Sequence, residues 1–356
     1  MPSSHSTDHR FIISKVPFLN GVSEVLRAKC LTMLPPAMVI ITAFGMVFLA
    51  QWLGHPEIML PTLGALMTGA WLVSDNLWHY SRRHLALCPP LAAITGTILS
   101  NLVCATDTVF MYPALYVAFL LTALILIFSR TQIYPCFGAA TLPILFHTTS
   151  WVYPLSVTVM ALSLCAGRTL LEHTHCVEPL KGSGFSPLRE KRRVRIAYYL
   201  QTSLGLLPAL ILVPCIGDHY LLLPPMFVTY ATFCNQHSSF TQCQVKTWAQ
   251  ISLAIVTSSL LSLVMGFAFD TELTTTTSQA LFALGAGLSV AVTALIGKKA
   301  FHKLFPPAMS FALTPFFVHF NPWLMLYVPV MCAYFIFIAW LMRNHPTYAN
   351  GDLHYI

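Results

Sequence analysis

RTQIYPCFGAATLPILFHTTSW, Arg130 to Trp151, joins two long apolar runs and reads as neither a loop nor an ordinary membrane helix. It opens on a cation, sets Pro135 and Gly138 close together, and adds Pro143 before His147. A related stretch, HKLFPPAMSFALTPFFVHFNPW, runs from His302 to Trp323. How these two interruptions lie in the chain decides its topology.

The surroundings of both are apolar. Of 356 residues, 56% are hydrophobic and 9% charged, with a mean hydropathy of +0.69. A soluble domain carries roughly 25% charged residues, so this chain lacks the polar groups to cover its own surface. Lipid leaves backbone N–H and C=O groups without partners unless they are paired within helices or closed barrels. The apolar runs lack the alternation of a barrel strand, so an all-α integral membrane protein is expected. The N-terminal tail, residues 1–30, has no apolar core of a cleavable leader and reads as a cytoplasmic segment. Ten scattered cysteines form no CxxC pair, which suggests neither a metal site nor a disulfide framework.

Candidate spans fall at 31–54, 58–76, 89–106, 109–129, 133–149, 153–170, 196–216, 220–236, 248–269, 280–297, 304–319 and 322–342. Several are shorter than the roughly 20 residues of an upright crossing. About twelve transmembrane or re-entrant segments result, with 133–149 and 304–319 read as broken or re-entrant. With the N-terminus inside, all 19 Lys and Arg fall on the cytoplasmic side, while Glu57, Asp107, Asp218, Asp270 and Glu272 take the outer turns. Basic residues favour the cytoplasmic side. Both termini are therefore expected inside, in a bacterial inner membrane.

Blocks recur in order. LPTLGALMTGAW from Leu60 matches LPPMFVTYATFC from Leu223, LAAITGTILSNLV from Leu91 matches LAIVTSSLLSLV from Leu253, and IYPCFGAATLP from Ile133 matches LFPPAMSFALT from Leu304. A tandem duplication follows, with membrane repeats at 31–171 and 196–343, a basic linker at 172–195 and a cytoplasmic tail at 344–356. An even number of crossings per half makes the two pseudo-repeats parallel.

These blocks resemble the HPP family, membrane proteins named for a His-Pro-Pro motif, over roughly 58–171 and 221–342. Leu63-Gly64-Ala65 falls in its small-residue span, and Pro90, Gly96, Thr97, Ser100 and Val103 fit its second span. Tyr134-Pro135-Cys136 and Phe305-Pro306-Pro307 stand where its signature belongs, with the motif histidine replaced in both copies. Some members are implicated in nitrite transport, so the resemblance implies a carrier of small anions.

The spans carry almost no acid. Asp75, at the end of one, reads as an interfacial residue or a contact of Arg82 or Arg83. Thr97, Ser100 and Asn101, with Ser258 and Ser259, are small polar groups that either pack helices closely or replace part of a solute's hydration shell. Pro135 and the Pro306-Pro307 pair suit the first turn of a helix, whose free N–H groups and positive dipole end attract anions. Arg130 precedes one copy and Lys298, Lys299 and Lys303 the other. A substrate site is therefore expected around Arg130, Pro135, Gly138, Thr141, Pro306, Pro307, Ser310, Thr97, Ser100, Asn101, Ser258 and Ser259. Proline kinks satisfied by neighbouring helices account for the same breaks.

The expected function is a transporter or channel for a small anion or small polar solute. An exporter of larger amphipathic or aromatic compounds and a non-transporting scaffold are the alternatives. No nucleophile–base pair, HExxH or helically spaced carboxylate pair points to an enzyme. His79 and His84 lack metal-pair spacing, and His147 and His319 read as interfacial groups. Neither metal nor cofactor is expected, and nucleic acid is not a partner. The partners are the bilayer and a small solute, with a homo-oligomer left open.

Overall fold

A computed structural model describes residues 19–73, 78, 80–104, 110–177, 192–235, 243–268, 275–318 and 321–343. Asp75, His79 and His319 lie outside these, so the readings made for them are not addressed. The described residues are all-helical, with twelve helices. Eight are long and apolar enough to span a membrane: α1 (Leu19–Leu53), α3 (Arg82–Cys104), α4 (Met111–Ser129), α6 (Val152–His173), α7 (Arg192–Ile216), α9 (Gln244–Ala268), α10 (Thr276–Ala300) and α12 (Leu324–Arg343). Four are short: α2 (Leu63–Met67, continued by a π turn at Thr68–Leu72), α5 (Pro135–Leu145), α8 (Pro224–Cys234) and α11 (Pro306–Phe317). The order long, short, long, long, short, long occurs twice.

Hydrogen bonds between helices fix their directions. The start of α3 lies against the end of α6, where Arg82 pairs with Glu172. Its far end lies against the turn that opens α6, where Asn101 Nδ2 donates to the Thr149 carbonyl at 3.1 Å. These two helices are antiparallel. By contrast α5 runs with α3, because Gly96 abuts Ala140 and the Ser100 hydroxyl donates to the Pro143 carbonyl at 2.8 Å. The 130–151 stretch therefore crosses the bundle and does not double back. The same register holds for α11 on α9, through Ser258 to Phe311 and Ser262 to Pro315. Gln279 on α10 reaches Gln51 at the end of α1.

An 11-residue helix is about 16 Å long, half of a hydrocarbon core of about 30 Å. The remainder of each short crossing is extended chain or tight turn. Such backbone is tolerated at membrane depth only where protein surrounds it, and every residue of α5 and α8 is buried. All four short helices open on an apolar residue and a proline: Leu60-Pro61, Tyr134-Pro135, Leu223-Pro224 and Phe305-Pro306.

Four features depart from the sequence reading. The 58–76 and 220–236 spans are as broken as the two singled out. Helix α3 begins at Arg82, seven residues before 89, and continues through Pro89 and Pro90. Helix α6 runs on to His173, so Glu172, itself buried, belongs to its last turn and not to the linker. Arg168, read as a cytoplasmic-side cation, is 4% exposed. The described basic side chains nonetheless all lie toward one end of the bundle, the basic face, and Glu57 and Asp218 toward the other.

Candidate functional site

The short helices meet with their first turns together. Since Pro135 lies about level with the middle of α3, α5 fills the half of the bundle toward the acidic face, and α11 does likewise beside α9. Helices α2 and α8 run the opposite way and fill the basic-face half. Their N-termini consequently face one another at mid-depth. The Ala65 amide at the start of α2 donates to Ser310 Oγ at the start of α11, at 3.1 Å. Gly64 lies against the Met309 carbonyl with no room for a Cβ. Gly138 on α5 likewise faces the Thr62 methyl group, and an added Cβ would lie 3.2 Å from the Pro224 carbonyl of α8.

The expected free amides are not found at this junction. Leu63, Gly64 and Leu66 donate to Leu60, Pro61 and Thr62 carbonyls, and Cys136, Phe137, Met226 and Ala308 close comparable tight turns. Prolines carry no N–H at the other first-turn positions. The amides are satisfied within the protein, so four dipole ends and small side chains converge there, not bare donors.

Unsatisfied hydroxyls do occur nearby. Thr62, the N-cap residue of α2, makes no capping bond, and its Oγ1 is buried without a partner. Thr97 and Ser259 are likewise fully buried and unpartnered, as are Thr122 and Thr293. These four form matched pairs in the two halves. Thr97 and Ser259 each lie three residues before the serine that bonds the short-helix proline carbonyl. Thr122 and Thr293 each open the sequence TALI, thirteen residues before the Tyr-Pro or Phe-Pro step. A buried hydroxyl without a partner costs roughly 1–3 kcal/mol.

The other expected site residues divide accordingly. Pro135, Gly138, Pro306, Pro307 and Ser310 sit at the junction and are buried. Thr141 is spent on the Phe137 carbonyl at 2.9 Å, and Ser258 on Ile255 and Phe311. Ser100 ties α3 to α5. Asn101 ties α3 to the turn before α6, at the acidic face. Arg130 is exposed at the basic face, where it caps α4 in the left-handed region with φ 53.

A charged cluster closes the basic-face end of α2, which sequence reasoning missed. Arg168 donates to Glu172 at 2.8 Å and to the Ala70 carbonyl at 2.6 Å, while Arg82 pairs with the second Glu172 oxygen. Trp71 Nε1 bonds the Leu164 carbonyl and the Tyr80 hydroxyl the Gly69 carbonyl. Burial, opposed by Arg168, pushes the Tyr80 pKa up to about 12. Carbonyls freed by the π turn thus receive side-chain donors. Its signal was the i, i+4 spacing of Arg168 and Glu172. Among the described residues no three His, Cys, Asp or Glu side chains gather as a metal site.

Comparison of the chain with family models, curated proteins and solved structures finds no match. The resemblance to the HPP family rests on the sequence blocks alone.

Proposed function

We propose that the chain is a multi-pass membrane transporter or channel for a small anion or small polar solute, made of two duplicated six-helix modules in one orientation. The observation that carries this reading is the meeting of four short-helix N-termini at mid-depth. The dipoles of α5, α8 and α11 point their positive ends to this level, and discontinuous helices facing one another at a module boundary are a recurrent way to build a solute site. The acids whose side chains are described, Glu57, Glu172 and Asp218, lie toward the two faces, so none of these carboxylates competes with an anion at the centre. Thr62, Thr97 and Ser259 offer hydroxyls in place of water.

In this state the junction is sealed by close packing at Gly64, against Met309 backbone, and at Gly138, against the Thr62 methyl group. Passage requires the short helices of one module to part from those of the other, which breaks the Ala65–Ser310 bond. The cation distribution in the sequence favours a cytoplasmic position for both termini, and nitrite-like anions are the first solutes to try on the basis of the HPP resemblance. The close-packed centre lends nothing to an exporter of large amphiphiles. Vesicles reconstituted with the protein are expected to show saturable flux of nitrite, nitrate, formate or chloride under a voltage or pH gradient. Absence of flux for all four overturns the proposal.

A further inference from the structure

Arg195, the last residue of the basic linker read from the sequence, is 7% exposed, and its Nε and Nη1 are buried without a hydrogen-bond partner. It heads the inward stripe of α7, which continues through Tyr199, Thr202, Leu206, Ala209 and Val213, all buried. The exposed Leu200, Leu204 and Ile211 mark the opposite face, which in a spanning helix meets lipid. The Tyr199 ring lies 6.2 Å from that of Phe137, in the first turn of α5. Arg195 therefore stands one turn, about 6 Å, from the level of the junction toward the basic face.

The first module treats a buried guanidinium differently. There Arg168 is as deeply buried, but it bonds Glu172 and the Ala70 carbonyl. In the register set by Tyr134-Pro135 and Phe305-Pro306, Ala339 stands where α6 has Arg168. Leu60-Pro61 and Leu223-Pro224 align Thr32 with Arg195. Under that alignment the buried Val39, Ala43, Met46 and Ala50 of α1 match the inward residues 202, 206, 209 and 213 of α7. Packing of this helix face does not call for a guanidinium, since the first module does without one. Glu57 and Asp218, the other acids with described side chains, lie at the acidic face. Burial of an unpaired charge is strongly unfavourable, and arginine does not give up its proton. The side chain thus calls for an anion that the described residues do not supply.

We infer that Arg195 binds one small monovalent anion at the basic-face approach to the junction. One guanidinium offsets one negative charge, and a divalent ion would leave half of its own unpaired. The inward stripe turns Arg195 away from the lipid-facing side of α7, which favours a free ion over a phospholipid headgroup. A planar oxyanion matches the planar guanidinium through paired hydrogen bonds. That the bound ion is the transported one rests on the transport reading above; the binding itself does not.

The test follows thermal unfolding of the full chain in phosphatidylcholine nanodiscs, with sodium nitrate replacing the bulkier sodium gluconate at constant ionic strength. A saturable rise of the midpoint is expected, since an ion that binds only the folded chain stabilises it. Arg195→Met, unbranched and uncharged, should keep or raise the midpoint in gluconate and lose the nitrate response. No saturable response in the parent overturns the assignment, as does an equal response in Arg195→Met. A lowered gluconate midpoint in that variant also overturns it, because the charge would then be structural. Loss of the nitrate response in discs containing phosphatidylglycerol would assign the site to a lipid phosphate and overturn the free ion. Flux in vesicles is measured separately. Nitrate binding without flux leaves this site and removes the transport reading, whereas flux without nitrate binding leaves transport and removes the site.

Discussion

Ser310 Oγ accepts the backbone hydrogen bond of Ala65 at 3.1 Å, and so joins the N-terminal parts of α2 and α11 through two residues 245 apart in the chain. Both groups are fully buried. Ser310→Ala leaves the Ala65 N–H unpaired away from water, at a cost of about 1–3 kcal/mol. A lowered midpoint of thermal unfolding in detergent is the expected result, with Ser310→Thr closer to the parent. Equal midpoints for all three proteins would show that the bond contributes nothing.

Gly64→Ala and Gly138→Ala test the close approach of the short helices. The methyl group added at Gly64 meets Met309 backbone, which cannot move aside, and that added at Gly138 meets the Thr62 methyl group, with the Pro224 carbonyl at 3.2 Å. Overpacking of this kind costs about 1–3 kcal/mol. Gly45→Ala is the control, since nothing lies within 4 Å of its added Cβ.

Thr62→Val, Thr97→Val and Ser259→Ala separate function from folding. Each removes a buried hydroxyl that has no partner, so stability should hold or rise by about 1 kcal/mol. If a solute uses these hydroxyls, flux should fall at least fivefold in the same proteins. Unchanged flux removes them from the pathway.

Glu172→Ala should destabilise by about 3–5 kcal/mol, because it strands the buried Arg168 guanidinium. Arg82→Gln is expected to cost no more than about 1 kcal/mol, since the Arg82 side chain is 49% exposed and its ion pair screened. Reversal of this order in thermal unfolding would place the principal anchor of α2 at Arg82.

Acid should weaken the fold near His219. Burial lowers its pKa below the ordinary imidazole value, with Asp218 opposing and His147 reinforcing the shift. Between the folded and unfolded values the unfolded chain binds more protons, so stability falls as pH drops through about 6.5. His219→Gln should flatten the melting midpoint between pH 7 and 5.5. An equally steep decline in the variant would assign the effect elsewhere.

Much of this architecture can be read from residues alone. Continuous apolar runs give helices, and eight of the helices are long and apolar enough to span a membrane. Proline steps at 135 and 306 mark two of the short helices. The other two were hidden because Leu60-Pro61 and Leu223-Pro224 begin runs that are apolar enough to pass for whole spans. Pro89-Pro90 misled in the opposite direction, since membrane helices tolerate proline where neighbours satisfy the freed groups. The junction itself is a tertiary fact. Nothing in local sequence states that Gly64 faces Met309, or that Ser310 will spend its oxygen on Ala65.

The half-length of α2, α5, α8 and α11 bears on biogenesis. A segment with eleven helical residues and an extended flank leaves peptide groups unpaired, so the lipid phase rejects it as a solitary guest. The eight long helices can enter the bilayer one at a time, whereas each short one must wait for a crevice made by partners. A concerted closure is therefore expected at the end of synthesis, with the centre set last from four segments spread along the polypeptide.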